Sequence, residues 1–215
     1  MTIRPGQEWG SPAPEPPDRD VSGGDADLAE ALADAPPGVL VRYRPAESSD
    51  LARAVGLAPA AGEFAVTLDL LRAAGGLAVN AVVLGVAPDR LRWWHRRVAV
   101  EVTVDGRPAF AGRASTVAVL NGQYLRGADL SPRGHPGDGS AEVQVYALAL
   151  SQRGGMRRRL HTGSHLPHPD IATRRAKRVA VRFSRPVLME VDGRPVGRTA
   201  SLELEVVPAA YRLLV

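Results

Sequence analysis

The sequence contains no cysteine among its 215 residues, so it can form neither disulfide bonds nor thiolate metal sites. It has no apolar run near the ~20 residues that a membrane-spanning helix needs. Its first residues lack the apolar segment of a secretory signal peptide. These absences favour a cytoplasmic protein with one large domain or two small ones.

Aromatic residues are also scarce, at 5% of the chain, and the most basic segment has none between its arginines. Nucleic-acid binding is therefore not expected. The net charge of +4 is unevenly placed, because residues 1–38 hold eight Asp/Glu and two Arg, whereas residues 151–182 hold nine Lys/Arg and one Asp. The basic segment either binds an anionic membrane surface or is a solvated strand-and-loop face. The arginines considered for the first alternative are Arg153, Arg157, Arg158, Arg159, Arg174 and Arg175.

Residues 1–22 hold five prolines and few aliphatic side chains. Such a segment buries too little apolar surface to offset its ordering entropy, so we expect a disordered tail.

Residues 23–76 have the pattern of a small, helix-rich unit. The expected elements are a helix at Leu28–Leu32, a strand at Val39–Val41, a helix at Asp50–Val55 that Ser48 or Ser49 caps and Gly56 ends, and an amphipathic helix at Phe64–Ala73.

Residues 77–215 change to short β-rich runs separated by turns, which is typical of an antiparallel sandwich. One short helix is expected from Pro88 to Arg97, where Trp93 and Trp94 are adjacent, so only one of them can face a core squarely. Asp192-Gly193 predicts a hairpin turn. The expected strands are 77–86, 98–104, 108–114, 117–120, 142–150, 179–183, 187–191, 199–206 and 211–215. The fold class expected for the whole chain is α+β.

Gly23 and Gly24 precede the first predicted helix. Bare N–H groups at a helix N-terminus can bind phosphate. The alternative is an ordinary helix start, in which Asp25 or Asp27 satisfies the first-turn amides.

Several motifs, in order, resemble those of the diacylglycerol kinase-like lipid kinases, within the NAD kinase/diacylglycerol kinase-like superfamily. The central match is an apolar strand, an Asn-Gly pair and a glycine-containing loop before the next strand. The matching residues are Gly23-Gly24-Asp25, Ser49-Asp50-Leu51-Ala52-Arg53, Asn80 to Gly85, Asn121-Gly122, Gly127, Pro132, Asp138-Gly139, Gly163-Ser164-His165, His168-Pro169, Val191-Asp192-Gly193 and Pro208 to Val215.

The resemblance implies a Rossmann-like ATP-binding domain packed on a β-sandwich, with ATP, Mg²⁺ and a lipid head group in the cleft between them. Residues 23–76 would then be a reduced remnant of the first domain, and residues 77–215 the sandwich. The phosphate-binding residues it implies are Gly23, Gly24, Asp25, Ser49 and Asp50. The residues it implies for the loop beside the lipid are Asn121, Gly122, Tyr124 and Gly127. It also implies a weak Mg²⁺ site at Asp138, where Gly137 replaces a second Asp.

The sequence departs from the family pattern at positions that matter for phosphoryl transfer. Ala26 and Asp27 replace Gly and Thr in the glycine motif, and Arg44 to Ser48 replaces a second Gly-Thr loop. Arg194 stands where the family has its expected catalytic Glu. A guanidinium can be neither a general base nor a Mg²⁺ ligand.

Three functions are therefore open. The first is a degenerate pseudokinase that binds a lipid, an anion or a protein partner. The second is an active lipid kinase using ATP and Mg²⁺, and the third is a basic adaptor for anionic membranes. Because the front of the family fold is missing, either a partner or second copy covers the shortened unit, or this unit caps the sandwich.

A zinc site is a weaker alternative. His161, His165 and His168 lie near Asp170, but their spacing is not that of a helical zinc motif and prolines interrupt the segment. A loop ordered by hydrogen bonds fits the segment better.

Overall fold

The computed structural model describes residues 10–13, 16–46, 48–57, 64–73 and 75–215. The helices are α1 (Asp25–Leu32), α2 (Asp50–Val55) and α3 (Gln152–Arg159), with 3₁₀ turns at Pro88–Arg90 and Leu160–Thr162. The strands are β1 (Ser11–Pro12), β2 (Arg19–Gly23), β3 (Val39–Pro45), β4 (Phe64–Ala73), β5 (Gly76–Ala78), β6 (Ala81–Gly85), β7 (Val98–Val104), β8 (Arg107–Ala114), β9 (Thr116–Leu120), β10 (Tyr124–Leu125), β11 (Ala128–Asp129), β12 (Ala141–Tyr146), β13 (Ile171–Ala176), β14 (Arg178–Val191) and β15 (Arg194–Leu214).

Strands β14 and β15 organise the sheet. They form a hairpin whose two-residue turn is Asp192-Gly193, both at positive φ, as the sequence predicts. β14 pairs with β7 through its first half and with β6 through its last residues. β15 pairs with β14, then with β4, and finally with β3. The two strands expected at 179–183 and 187–191 are thus one bent strand, β14, and those expected at 199–206 and 211–215 are one bent strand, β15.

The strands β6, β9 and β12 are buried on both faces. In β9, Val117 and Val119 enter the sandwich core, whereas Ala118 and Leu120 face a second core. That second core includes Met156 of α3 and residues of the loops, such as Leu130 and Leu148. Because successive side chains of a strand point to opposite faces, a strand between two layers reads as a continuous apolar run.

The N-terminal unit is joined to the sandwich by strand pairing. β2 and β3 are parallel, with α1 between them, and β3 is also parallel to β15. A third core unites α1, α2, β3, β4 and the end of β15. The sheet therefore continues across the expected boundary at residue 76, and the N-terminal unit packs at one end of the sandwich.

Phe64–Ala73 is a strand, so the expected helix was wrong. Phe64, Leu68 and Leu71 do fit a helical face, but β4 pairs with β15 and β5 and is buried at six of its ten positions, including four in a row from Leu68 to Leu71. A short, almost wholly apolar run cannot be assigned from its period alone. The unit is consequently less helix-rich than expected.

Other expectations need correction. Arg19–Gly23 is strand β2, so disorder does not extend to Ser22, and residues 1–9 lie outside the described residues. The helix expected from Pro88 to Arg97 is only the 3₁₀ turn at its start. The strand expected at 142–150 ends at Tyr146, and α3 follows in the segment expected to be strand and loop. Within the described residues, none of the helices is long and apolar enough to cross a bilayer.

His165 is buried at 1% exposure in the loop after α3. Its ring stacks on Tyr146 with centroids 6.4 Å apart, and its Nε2 lies 3.4 Å from the Tyr146 hydroxyl. Burial lowers the pKa of His165 to about 4. The native state therefore holds this imidazole neutral at physiological pH.

We expect stability to fall as the pH drops from about 6.5 towards 4, because the unfolded chain then binds a proton that folded His165 resists. The loss should be about 2 kcal/mol of unfolding free energy, and His165→Phe should remove it. Urea unfolding of both proteins at the two ends of this pH range measures the difference. Equal losses in wild type and variant would contradict the assignment.

Candidate functional site

A cleft of about 1120 Å³ lies where the N-termini of α1 and α2 meet the β14–β15 turn and the β10–β11 turn. Of the sequence-predicted phosphate residues, Gly24, Asp25, Ser49 and Asp50 line it. Gly127 and Arg194 also line it. Four of the five predicted phosphate-binding residues thus lie at one cleft, and the chemistry of this cleft depends on what each side chain contacts.

Asp25 is buried and binds the start of α2. One carboxylate oxygen accepts from the Ser49 hydroxyl at 2.6 Å, and the other accepts from the backbone N–H groups of Asp50 and Leu51 at 3.1 Å. Ser49 is also the N-cap of α2, as expected, accepting from the Ala52 N–H. Burial raises the pKa of Asp25, while the Ser49 bond acts in the opposite direction. Both oxygens therefore serve the local fold.

Asp50 joins α2 to the β10–β11 turn. One oxygen accepts from the Gly127 N–H at 2.7 Å and the other from the Arg126 N–H. Arg126 and Gly127 both have positive φ, so the turn presents two successive amides to this carboxylate. Burial raises the pKa of Asp50, and the two amides lower it.

Asp27 binds the backbone N–H of Gly24, the N-cap residue of α1. Its Oδ2 accepts from the Gly24 N–H at 2.7 Å, and its Oδ1 accepts from Arg194 at 2.5 Å. Arg194 lowers the pKa of Asp27, so the carboxylate is charged at neutral pH. The chain's own anion thus occupies the N-terminus of α1. Gly23 precedes this point and contributes its carbonyl to the Tyr43 hydroxyl.

Asp192 binds three consecutive backbone N–H groups, those of Val79, Asn80 and Ala81, at 2.8–2.9 Å. Burial raises the pKa of Asp192 to about 7, whereas these donors favour its charged form. From the sequence, Asp192 is expected in a hairpin turn and in the Val-Asp-Gly motif of the resemblance, but not among the phosphate-binding residues. That motif is the signal that could have placed it in the cleft.

Arg126 and Arg53 are the further cationic side chains of the cleft. Arg126 forms a two-pronged ion pair with Asp89, at 2.8 and 3.0 Å, and also binds Glu190. Arg53 lies over the Tyr124 ring at 4.3 Å and donates to the Gly127 carbonyl. Arg53 belongs to the motif after Ser49, whereas Arg126 had no sequence signal.

The remaining residues predicted for the lipid-facing loop have structural contacts. Asn121 is buried and donates to the carbonyls of Asp69 and Val79. Gly122 leaves no room for a side chain, because a Cβ would lie 2.5 Å from Asn80 Oδ1. Tyr124 contributes its ring to Arg53. Of the four predicted loop residues, only Gly127 lines the cleft.

Asp138 pairs with Arg175 at 2.5 Å and binds the Ser140 amide and hydroxyl. The guanidinium supplies positive charge beside the carboxylate that was predicted to bind Mg²⁺. In the part of the chain that the structure describes, no three His, Asp or Glu side chains are grouped to hold a metal. His168 instead accepts from the Asp170 N–H.

A Mg²⁺-bound triphosphate does not fit these residues as they stand. Such a ligand needs free N–H groups, carboxylate lone pairs and surplus positive charge. Among the described residues, the cleft has four carboxylates (Asp25, Asp27, Asp50 and Asp192) and three guanidiniums (Arg53, Arg126 and Arg194), whereas Glu47, noted in the sequence between Arg44 and Ser48, lies outside the described residues. Each of these carboxylates already accepts two or more hydrogen bonds from the protein.

A second cavity, of about 360 Å³, opens beside the first. It lies between α1 and the strands β4, β5, β6 and β14, and Ala26 and Arg194 line both cavities. Its wall is mostly apolar, formed by residues such as Ala29, Leu71, Leu77, Val82 and Met189.

Solved structures share this fold. Three solved structures from Bacillus anthracis str. Sterne superpose on this chain with TM-scores of 0.75, 0.74 and 0.70. All three are described as diacylglycerol kinases, two of them provisionally. They are 17–18% identical to this chain, and the alignments cover 92% of it and 76–78% of theirs. An NAD kinase from Archaeoglobus fulgidus in complex with ATP superposes with a TM-score of 0.52, at 11% identity over 92% of this chain and 78% of its own.

No curated protein matches the sequence. A family model does match, over residues 83–215, and its description is the YegS C-terminal NAD kinase beta sandwich-like domain. The matched segment begins within β6 and contains the rest of the sandwich, both long strands and the Asp192-Gly193 turn. The chain therefore belongs to the family of the YegS C-terminal NAD kinase β-sandwich-like domain.

Proposed function

We propose that this protein is a non-catalytic member of its superfamily that binds a lipid acyl chain and does not transfer phosphate. The contact of Asp27 with the Gly24 N–H and Arg194 is the main support for the absence of phosphate transfer. An intramolecular carboxylate is held where the resemblance puts a phosphate of ATP, and the cation beside it replaces the expected catalytic Glu.

The contacts of Asp25 and Asp50 support the same conclusion. A carboxylate that ligates a metal must offer lone pairs to it. In this protein both side chains direct their oxygens at backbone amides and the Ser49 hydroxyl, and both contribute to the attachment of α2. Their role in this proposal is structural.

The β2–α1–β3 unit fits a reduced nucleotide-binding domain. Two parallel strands joined by a helix are the repeating unit of Rossmann-like folds, and Gly23 ends the first strand just before the helix. In this interpretation the unit kept its packing surface for the sandwich and lost its phosphate site.

The apolar cavity supports lipid binding. Its volume of about 360 Å³ lies within the range of small-molecule sites, roughly 300–1,000 Å³. Exposed Arg194 and Glu30 also line it, so polar groups stand beside an apolar interior. A lipid tail would bury apolar surface there, and diacylglycerol kinases, which the fold resembles, are named for a lipid substrate.

Asp25→Ala should lower the melting temperature by about 5–10 °C, because it leaves a buried hydroxyl and two first-turn amides without an acceptor. Asp34→Ala is the matched control, since Asp34 forms an exposed ion pair with Arg19 and should cost little. Thermal unfolding followed by circular dichroism compares the two. Equal melting temperatures for Asp25→Ala and wild type would contradict the structural role.

Mg·ATP at millimolar concentration should leave the melting temperature of the wild-type protein unchanged. A ligand at a hundredfold excess over Kd would add about 2.7 kcal/mol, or roughly 5–10 °C here. In the double variant Ala26→Gly/Asp27→Thr, which frees the Gly24 N–H, nucleotide should stabilise the protein more than it does wild type. A saturable rise with wild type would instead support an active kinase, and lipid phosphorylation assays would follow.

Ala33→Phe should weaken acyl-chain binding about tenfold or more, because Ala33 is an exposed residue that lines the apolar cavity. Ala111→Phe is the control, since Ala111 is an exposed alanine on β8 away from the cavity. Binding of a fluorescent fatty acid to both variants and wild type measures the effect. The lipid assignment would be wrong if wild type does not bind this probe or if both variants bind it equally.

A further inference from the structure

Two adjacent tryptophans project from the loop that follows the Pro88–Arg90 turn. Trp93 and Trp94 are 67% and 58% exposed, and their rings meet edge to face with centroids 5.5 Å apart. Neither ring enters a hydrophobic core formed by the described residues. A large apolar side chain left in water is unfavourable, so two neighbouring ones indicate a contact that the described part of the chain does not make.

The tryptophan loop is held in place by α3. Arg153 is 1% exposed, and its guanidinium donates to the carbonyls of Arg92 and His95 at 2.7 and 2.5 Å and to Ser115 Oγ at 2.9 Å. Arg157 donates to the Leu91 carbonyl at 3.4 Å. Since these bonds flank the two tryptophans, the exposed rings are presented by an ordered loop rather than by a frayed one.

The same contacts place the tryptophans beside a positively charged surface. Residues 90–97 contain four arginines and no acidic residue, and α3 contains four more, also without an acidic residue. Among the described residues, the arginines of this surface that form no ion pair are Arg92, Arg96, Arg97, Arg157, Arg158 and Arg159.

The structure also corrects the set of arginines considered for a membrane adaptor from the sequence. Arg153 is buried and supports the loop, so it cannot contact a membrane. Arg175 is paired with Asp138. Arg153 and Arg175 therefore leave the set, whereas Arg158, Arg159 and Arg174 are exposed and form no ion pair among the described residues.

We propose that the loop bearing Trp93 and Trp94, together with the exposed arginines of α3, docks the protein on an anionic phospholipid bilayer. Indole rings favour the boundary between head groups and acyl chains. Arginines near an anionic surface contribute about 1 kcal/mol each. The proposal needs neither the cleft nor the apolar cavity, so its test is independent of the proposed function.

A bilayer fits this surface better than a nucleic acid does. Single-stranded nucleic acids bind along grooves in which separated aromatic rings stack on successive bases. Here the two rings are adjacent, nearly perpendicular at 86°, and lie at one loop. This arrangement suits shallow insertion of both rings at one point, with the arginines at head-group level.

The test is co-sedimentation of the full-length protein with vesicles of phosphatidylcholine, with and without about 30% phosphatidylglycerol, at low and high salt. Wild type should bind only the anionic vesicles, and less at high salt. Trp93→Ala/Trp94→Ala should weaken binding about tenfold or more. Arg158→Gln/Arg159→Gln should weaken it about 20- to 30-fold.

Matched controls are Phe64→Ala, which removes another exposed aromatic ring, and Arg182→Gln/Arg185→Gln, which removes two exposed arginines on β14. Both should bind as wild type does. Circular dichroism confirms that each variant is folded. In a Trp9→Phe background only Trp93 and Trp94 remain as tryptophans, and their fluorescence should shift to the blue on anionic vesicles.

The proposal is overturned if wild type does not bind anionic vesicles at low salt, or if the tryptophan variant binds them as wild type does. It is also overturned if a single-stranded oligonucleotide shifts the fluorescence while the vesicles do not. That last result would assign the surface to nucleic acid.

Discussion

The contact between the Asp192 carboxylate and three successive amides fixes the geometry around the cleft. Residues Val79 to Ala81 leave one sheet strand and enter the next, and their N–H groups would be unsatisfied without this carboxylate. The same residue forms the β14–β15 turn, so one side chain positions the hairpin and the entry into the sandwich together. Arg194, two residues later, consequently stands where it meets Asp27 from the opposite unit.

Buried carboxylates that bind amides recur throughout the cleft, and this changes how its motifs are interpreted. In the superfamily resemblance, Asp25 and Asp50 are expected beside nucleotide and metal. Here each bridges elements that are distant in sequence, with Asp25 reaching α2 and Asp50 reaching the β10–β11 turn. These contacts give Asp25 and Asp50 a role in folding that does not depend on any bound ligand.

The sequence predicted much of the sandwich because local signals and tertiary structure agreed there. Asp192-Gly193 can adopt the turn geometry that a two-residue hairpin needs, and Ser49 and Gly56 are favourable helix ends. The helix predicted for β4 was wrong because this strand is buried on both faces, which removes the alternation of apolar and polar residues that marks a half-buried strand. α3 was missed because a helix with two glycines and four arginines has little apolar periodicity, and tertiary contacts of Arg153 and Met156 hold it. No sequence pattern shows which carboxylate oxygens are already hydrogen-bonded. The sequence could therefore predict that these residues lie close together, but not which ligands their side chains are free to bind.

Strand β15 runs for 21 residues and supplies side chains to both the sandwich core and the core of the N-terminal unit. A strand shared in this way cannot be released from one core while it stays fully ordered in the other, because Leu204 and Glu205 pair with β14 on one side and with β4 on the other. The two units should therefore unfold together in one cooperative transition, and a hinge between them is not available. Two-domain kinases that close around a nucleotide depend on such a hinge. In this protein, the architecture that stabilises the shortened unit also removes the freedom to open and close.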